Sequence, residues 1–153
     1  MDNFEEIISQ MPRLLMGLKG RSLVDRLDVS KNEIKGIYVF YENDNPIYVG
    51  RSKNIRNRLD QHCRNSSDHN SAPFAFNLAK EKYGLKFDKT DGMSRKQLST
   101  LPAFDKLFTL EKERVSRMKI RYIEVPDPHV QTIFEVYVAL MLETTKYNDF
   151  DTH

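Results

Sequence analysis

The chain reads as one α/β domain, with helices set around a small sheet. Three observations predict this. Residues 36–50 hold two short runs rich in β-branched and aromatic residues, Ile37-Tyr38-Val39-Phe40-Tyr41 and Pro46-Ile47-Tyr48-Val49-Gly50. They flank the turn cluster Glu42-Asn43-Asp44-Asn45, the pattern of a β-hairpin. Residues 118–125 alternate apolar and polar side chains, as a half-buried strand does. Most of the remaining apolar residues recur at helical steps of three and four.

Taken in order, Phe4, Ile7, Ile8, Met11, Leu14, Leu15 and Leu18 predict an N-terminal helix that covers part of the core, with Pro12 kinking or dividing it. The hairpin follows from Gly36. Ser52, Lys53 and Asn54 then lead into a helix on which Ile55, Leu59 and Cys63 fall four apart. Residues 65–72 are polar and loop-like. A helix is expected from Phe74 to Tyr83, capped by Gly84. A loop follows over residues 88–94, then a helix over 103–117. Pro126-Asp127-Pro128 ends the alternating strand, and a last helix is expected over 129–144.

The 153 residues suffice to bury a core without staples. A single cysteine, Cys63, excludes an internal disulfide and a cysteine-pair zinc site, and fits a reducing, cytoplasmic setting. No apolar run approaches a membrane span, and the acidic, polar start does not resemble a secretory signal. The net charge is only +2, but it is unevenly spread. Residues 51–66 carry Arg51, Lys53, Arg56, Arg58 and Arg64 against Asp60 alone; residues 111–121 carry Lys112, Arg114, Arg117, Lys119 and Arg121 against two acids. Two such segments suit phosphates, and equally suit solvated helix faces.

Three features carry chemistry. Tyr38 and Tyr48 sit on neighbouring strands beside Gly36 and Gly50, and a phenol serves as a general base when cations lower its pKa. Arg58 and His62, four apart, share one helix face and can clamp a phosphate. Nine of the ten residues from Ile133 to Leu142 are apolar, and Glu135 is the exception. A carboxylate there needs a cation, a metal or a shifted pKa, unless it occupies the helix's exposed edge. The polar stretch Ser66–Ser71, with His69, is either a backbone-contacting loop or plain surface.

Gly36-Ile37-Tyr38, nine intervening residues, and Tyr48-Val49-Gly50 resemble the signature of the GIY-YIG endonuclease family. Arg58, eight residues after Gly50, resembles its arginine, and His62 follows where many members have histidine. Glu135 resembles the metal-binding glutamate, and Asn148 the asparagine that closes the core. Val49 replaces an isoleucine, and Arg51 stands where some relatives have lysine. The likeness runs from Gly36 to Asn148. It sets residues 1–35 apart as an N-terminal helical extension packing on the core, and 36–153 as a nuclease domain with an insert at about 65–116.

The resemblance implies a three-stranded antiparallel sheet flanked by helices and a metal-dependent hydrolysis of DNA phosphodiester bonds. It implies one Mg2+, or Mn2+ in its place, held chiefly by Glu135, and water activated by Tyr38 or Tyr48 as tyrosinate. Arg58 would neutralise phosphate charge, and His62 would contact the phosphate or assist proton transfer. Gly50, Arg51, Lys53 and Asn148 complete the expected substrate contacts, Asn148 also bracing the site. DNA is the expected partner, with a homodimer as one arrangement and no membrane. The alternatives are an inactive nucleic-acid-binding module on the same fold, or a protein–protein adaptor marked by an exposed apolar patch.

Overall fold

A computed structural model of the chain describes residues 3–87 and 92–148. The chain divides into two compact units, one formed by residues 1–58 and 118–153 and the other by residues 59–117.

The first unit is built on a four-stranded antiparallel sheet. Its strands are β1 (Val24–Asp25), β2 (Gly36–Glu42), β3 (Asn45–Ser52) and β4 (Lys119–Glu124), in the order β1-β4-β2-β3. Three were expected. The fourth, β1, comes from the segment read as a purely helical extension; two residues hold it, Val24 opposite Ile120 and Asp25 opposite Lys119. So short a strand leaves no period-2 pattern to read. The β2–β3 hairpin closes through Asn43 and Asp44, with φ of 51° and 64°. Two consecutive left-handed residues give the turn whose twist matches the strands, and Asn and Asp tolerate that conformation well.

Side chains alternate across the sheet, which gives its two faces different work. Ile37, Val39, Tyr41, Val49 and Ile123 face helices α1 (Phe4–Lys19) and α6 (Pro128–Met141), whose Met11, Leu15, Leu18, Phe134 and Val138 complete the core. Tyr38, Phe40, Tyr48 and Tyr122 stand on the opposite face, since Tyr38 is registered with Gly50 and Tyr122, and Phe40 with Tyr48. Gly36 is required where β2 meets β4: a Cβ there would collide with the Ile123 carbonyl.

Helix α1 runs unbroken through Pro12. Proline in a helix costs about 3 kcal/mol or more. Burial of Ile7, Met11, Leu15 and Leu18, at about 1.5–3 kcal/mol each, exceeds that cost. Helix α6 ends at Met141 rather than 144. Glu143 turns left-handed with φ of 57°, and the chain folds back through Thr144, whose amide donates to the Ala139 carbonyl.

Helix α2 (Ile55–Cys63) begins in the first unit and ends in the second. The second unit continues with α3 (Pro73–Phe87), α4 (Arg95–Ser99) and α5 (Pro102–Ser116). Gly84, expected as a cap, lies inside α3. Helices α3 and α5 join through Phe76 and Tyr83 on one and Phe104 and Phe108 on the other, with ring centroids 5.0–5.7 Å apart across the pair. Of the loop expected over 88–94, residues 88–91 lie outside the described residues.

Candidate active site

Tyr38 is the centre of the site. It lies mid-strand with its ring over Gly50, where any Cβ would overlap the phenol. Gly50, expected to touch substrate, is buried and makes room for the tyrosine. Only 1% of Tyr38 is exposed. Burial holds its pKa well above the ordinary tyrosine value, the charge of Tyr48 and that of Glu135 push the same way, and the Arg58 guanidinium, which hydrogen-bonds the phenol, opposes them. Three other expected residues of the first unit, Tyr48, Arg58 and Glu135, are therefore within electrostatic reach of Tyr38.

Each is placed by a different element. Tyr38 and Tyr48 come from β2 and β3 and meet Phe40 between them, at ring-centroid distances of 5.7 and 6.4 Å. Arg58 comes from the first turn of α2. Glu135 comes from the middle of α6, which lies against β3, the edge strand.

Glu135 is 20% exposed, neither surface nor sealed core. Burial raises its pKa above the usual carboxylate value, while Arg51, through its charge and its backbone N–H, pulls it down. The Arg51 Nε stands 4.0 Å from the carboxylate, too far for a hydrogen bond. Arg51 is held instead by Gln131, one turn before Glu135 on α6. The Arg51 Nη1 donates to the Gln131 Oε1 at 3.3 Å, and the Gln131 amide donates to the Val125 carbonyl at 3.0 Å. Gln131 was not among the expected residues. Its signal was present, a second polar position on the α6 face that carries Glu135, but glutamine has no charge to draw attention.

Asn148 clamps the outer edge of β3. Its amide donates to the Val49 carbonyl at 2.6 Å, and its carbonyl oxygen accepts from the Val49 N–H at 3.3 Å and from the Thr144 hydroxyl at 3.3 Å. Both amide atoms are thus engaged in bracing the strand between Tyr48 and Gly50. Lys53 is exposed just beyond β3. His62 lies one turn after Arg58 on α2, is fully buried, and belongs to the second unit.

The basic segments are partly spent on structure. Arg56 is buried, its Nη1 donating to the carbonyls of Leu27 at 3.3 Å and Val29 at 2.9 Å. Lys112 is buried in the second unit, donating to the carbonyls of Asn65 at 2.7 Å and Ser67 at 2.9 Å, and burial lowers its pKa. In the Ser66–Ser71 loop, the Ser67 hydroxyl donates to the Gln61 carbonyl at 2.5 Å, and Asp68 accepts from the amides of Asn70 and Ser71. Arg51, Lys53 and Arg64 remain exposed.

Residues 34–98 match the family model of the GIY-YIG catalytic domain. They form a GIY-YIG domain. No curated protein and no solved structure matches the chain. The GIY-YIG match covers 65 of the 153 residues and takes in Tyr38, Tyr48, Arg58 and His62. Glu135 and Asn148 lie beyond the matched residues, and geometry brings them to the GIY-YIG hairpin: Glu135 to the backbone of Arg51, Asn148 to that of Val49. No helix among the described residues is long and apolar enough to cross a membrane.

The donor set bears on which metal such a site suits. Among the described residues no three His, Cys, Asp or Glu side chains converge. That leaves no tetrahedral nitrogen–sulfur cage of the zinc kind. One partly desolvated carboxylate with an open side suits a hard cation that keeps most of its waters.

Proposed function

We propose that the chain is a metal-dependent endonuclease that hydrolyses DNA phosphodiester bonds at the Tyr38–Tyr48–Arg58–Glu135 site. The observation that carries this reading is the setting of Tyr38, which feels Tyr48, Arg58 and Glu135 at once although they come from three separate stretches of sequence.

The residues divide the work as follows. Glu135 would hold Mg2+, or Mn2+, with water and substrate phosphate completing the shell. When bound, such an ion stabilises charge on the leaving oxygen. Gln131 and Arg51 keep a positive charge beside Glu135 without closing over it, which leaves the carboxylate accessible. Arg58 neutralises charge building on the phosphate, a preorganised electrostatic role. Tyr38 keeps its proton, because burial and neighbouring negative charge oppose ionisation. It is then a fixed hydrogen-bonding partner for Arg58. Asn148 holds the strand that carries Tyr48.

The test is a plasmid-nicking assay with Mg2+ and with Mn2+. Cutting that disappears in Glu135→Ala and Arg58→Ala, while both variants keep their helical circular-dichroism signal, supports the reading. No cleavage of DNA by the unaltered chain with either metal would overturn it. Product ends with 5′-phosphate and 3′-hydroxyl groups are expected.

A further inference from the structure

The residues before Gly36 lie outside the tyrosine site, yet they build a concavity next to it. A cavity of about 150 Å³ opens where the chain passes from α1 to β1, lined by Arg21, Ser22, Val24 and Tyr122. The pairing of β1 with β4 covers only Val24 and Asp25, so the edge of β4 beside Tyr122 is left clear of it. The walls are anchored: the Arg121 Nε donates to the Arg21 carbonyl at 2.7 Å, and its guanidinium lies 4.8 Å from the Tyr41 ring centroid. Among the described residues, the side chains of Arg21, Ser22 and Tyr122 have no hydrogen-bond or ion-pair partner.

Register places two of the four lining residues, Val24 and Tyr122, while Arg21 is held at the edge of the sheet by Arg121, which is opposite Val39 and projects to the face of α1 and α6. Tyr122 is directly opposite Tyr38, and Val24 is opposite Ile120, itself opposite Phe40. Directly opposed residues project to the same side, with Cβ atoms about 4.5–5.5 Å apart. Tyr122 and Val24 therefore stand on the face that carries Tyr38 and Tyr48. A half-buried phenol ring offers a stacking surface for a base, and an exposed guanidinium beside it offers a phosphate contact.

We propose that the Arg21–Ser22–Val24–Tyr122 cavity is a nucleotide subsite. It seats a nucleotide flanking the scissile bond of a nucleic-acid strand, the base against Tyr122 and a phosphate against Arg21. This rests on the nuclease reading and extends it: residues before the GIY-YIG match become part of the substrate platform.

The test is fluorescence anisotropy of a short fluorescein-labelled single strand, with metal removed by chelator, followed by steady-state cleavage with Mg2+. Tyr122→Leu is expected to weaken binding about tenfold, the loss of one stacked base. Arg21→Gln is expected to flatten the salt dependence by about one counterion. Tyr122→Phe keeps the ring and is expected to restore most of the affinity lost in Tyr122→Leu, which guards against a mere folding defect. In cleavage the losses should fall on KM rather than kcat. If the unaltered chain binds and cuts while Tyr122→Leu and Arg21→Gln bind like it, the subsite is refuted and the nuclease reading stands. A loss confined to kcat also refutes it. If the unaltered chain neither binds nor cuts, the nuclease reading falls first and takes the subsite with it.

Discussion

Each unit carries a glutamate on a helix, sealed in one and half-buried in the other, and the two are treated oppositely. In the second unit Glu111, 1% exposed, is met by Lys82 and by Arg114, whose Nη1 lies 3.4 Å from the carboxylate. The adjacent Lys112 is equally closed, its ammonium on two loop carbonyls and 4.2 Å from the Phe108 ring centroid. In the first unit Glu135 has one guanidinium at 4.0 Å, held there by Gln131, and keeps a fifth of its side chain open. A charge buried for structure is closed in by opposite charges, because an uncompensated buried charge costs stability. On the reading proposed above, Glu135, with the Arg51 N–H and one distant guanidinium, keeps room for a ligand to supply the rest.

The largest test of this contrast is functional. Glu135→Ala should lower the nicking rate about 1,000-fold or more, with Mn2+ binding, read by electron paramagnetic resonance, lost in parallel. Glu111→Gln should leave nicking within a few-fold and instead cost about 1–3 kcal/mol of stability in urea unfolding, since its partners can still reach water. Cutting abolished by Glu111→Gln in folded protein would break the comparison.

Arg58→Ala should reduce turnover about 100-fold or more without changing Mn2+ affinity, because its charge acts on phosphate and on Tyr38. Lys112→Met should destabilise by about 2–3 kcal/mol, leaving two loop carbonyls without their donor, and should barely alter the salt dependence of DNA binding. A clear drop in that salt dependence would return Lys112 to the phosphate-contacting set.

The smallest effect sharpens the contrast most. The Glu135 pKa is raised in the folded chain, so the folded state binds more protons than the unfolded one in the window above the ordinary carboxylate value. Folding stability from this group is full below that value and is lost as pH rises through the folded pKa. Glu135→Gln should therefore become progressively more stable than the unaltered chain across this window, while binding no Mn2+. In the unaltered chain Mn2+ affinity should rise with pH over the same range, as proton and metal compete for one carboxylate. Calorimetric melting of both proteins from mildly acidic to neutral pH checks the sign.

Much of this is legible in the sequence. The hairpin is, because Asn43 and Asp44 demand a left-handed turn between two β-branched runs. Glu135 is, because a lone acid in an apolar helix needs an explanation. Arg56 and Lys112 are not, since a basic residue on an amphipathic helix looks the same whether it meets phosphate or a buried carbonyl. Pro12 misled in the same way: local propensity said break, and four buried side chains said otherwise.

The sequence by itself determined most of the elements and the likeness of residues 34–98 to the GIY-YIG domain, because period, turn chemistry and motif spacing are local properties. Tertiary structure alone decided which groups share a space. It brought Glu135 and Asn148 to the edge of β3, gave Arg51 to Gln131, and recruited two residues of the N-terminal segment as a fourth strand. Those pairings depend on hydrogen bonds and burial between residues some 80 to 99 positions apart, and no local pattern encodes a partner at that distance.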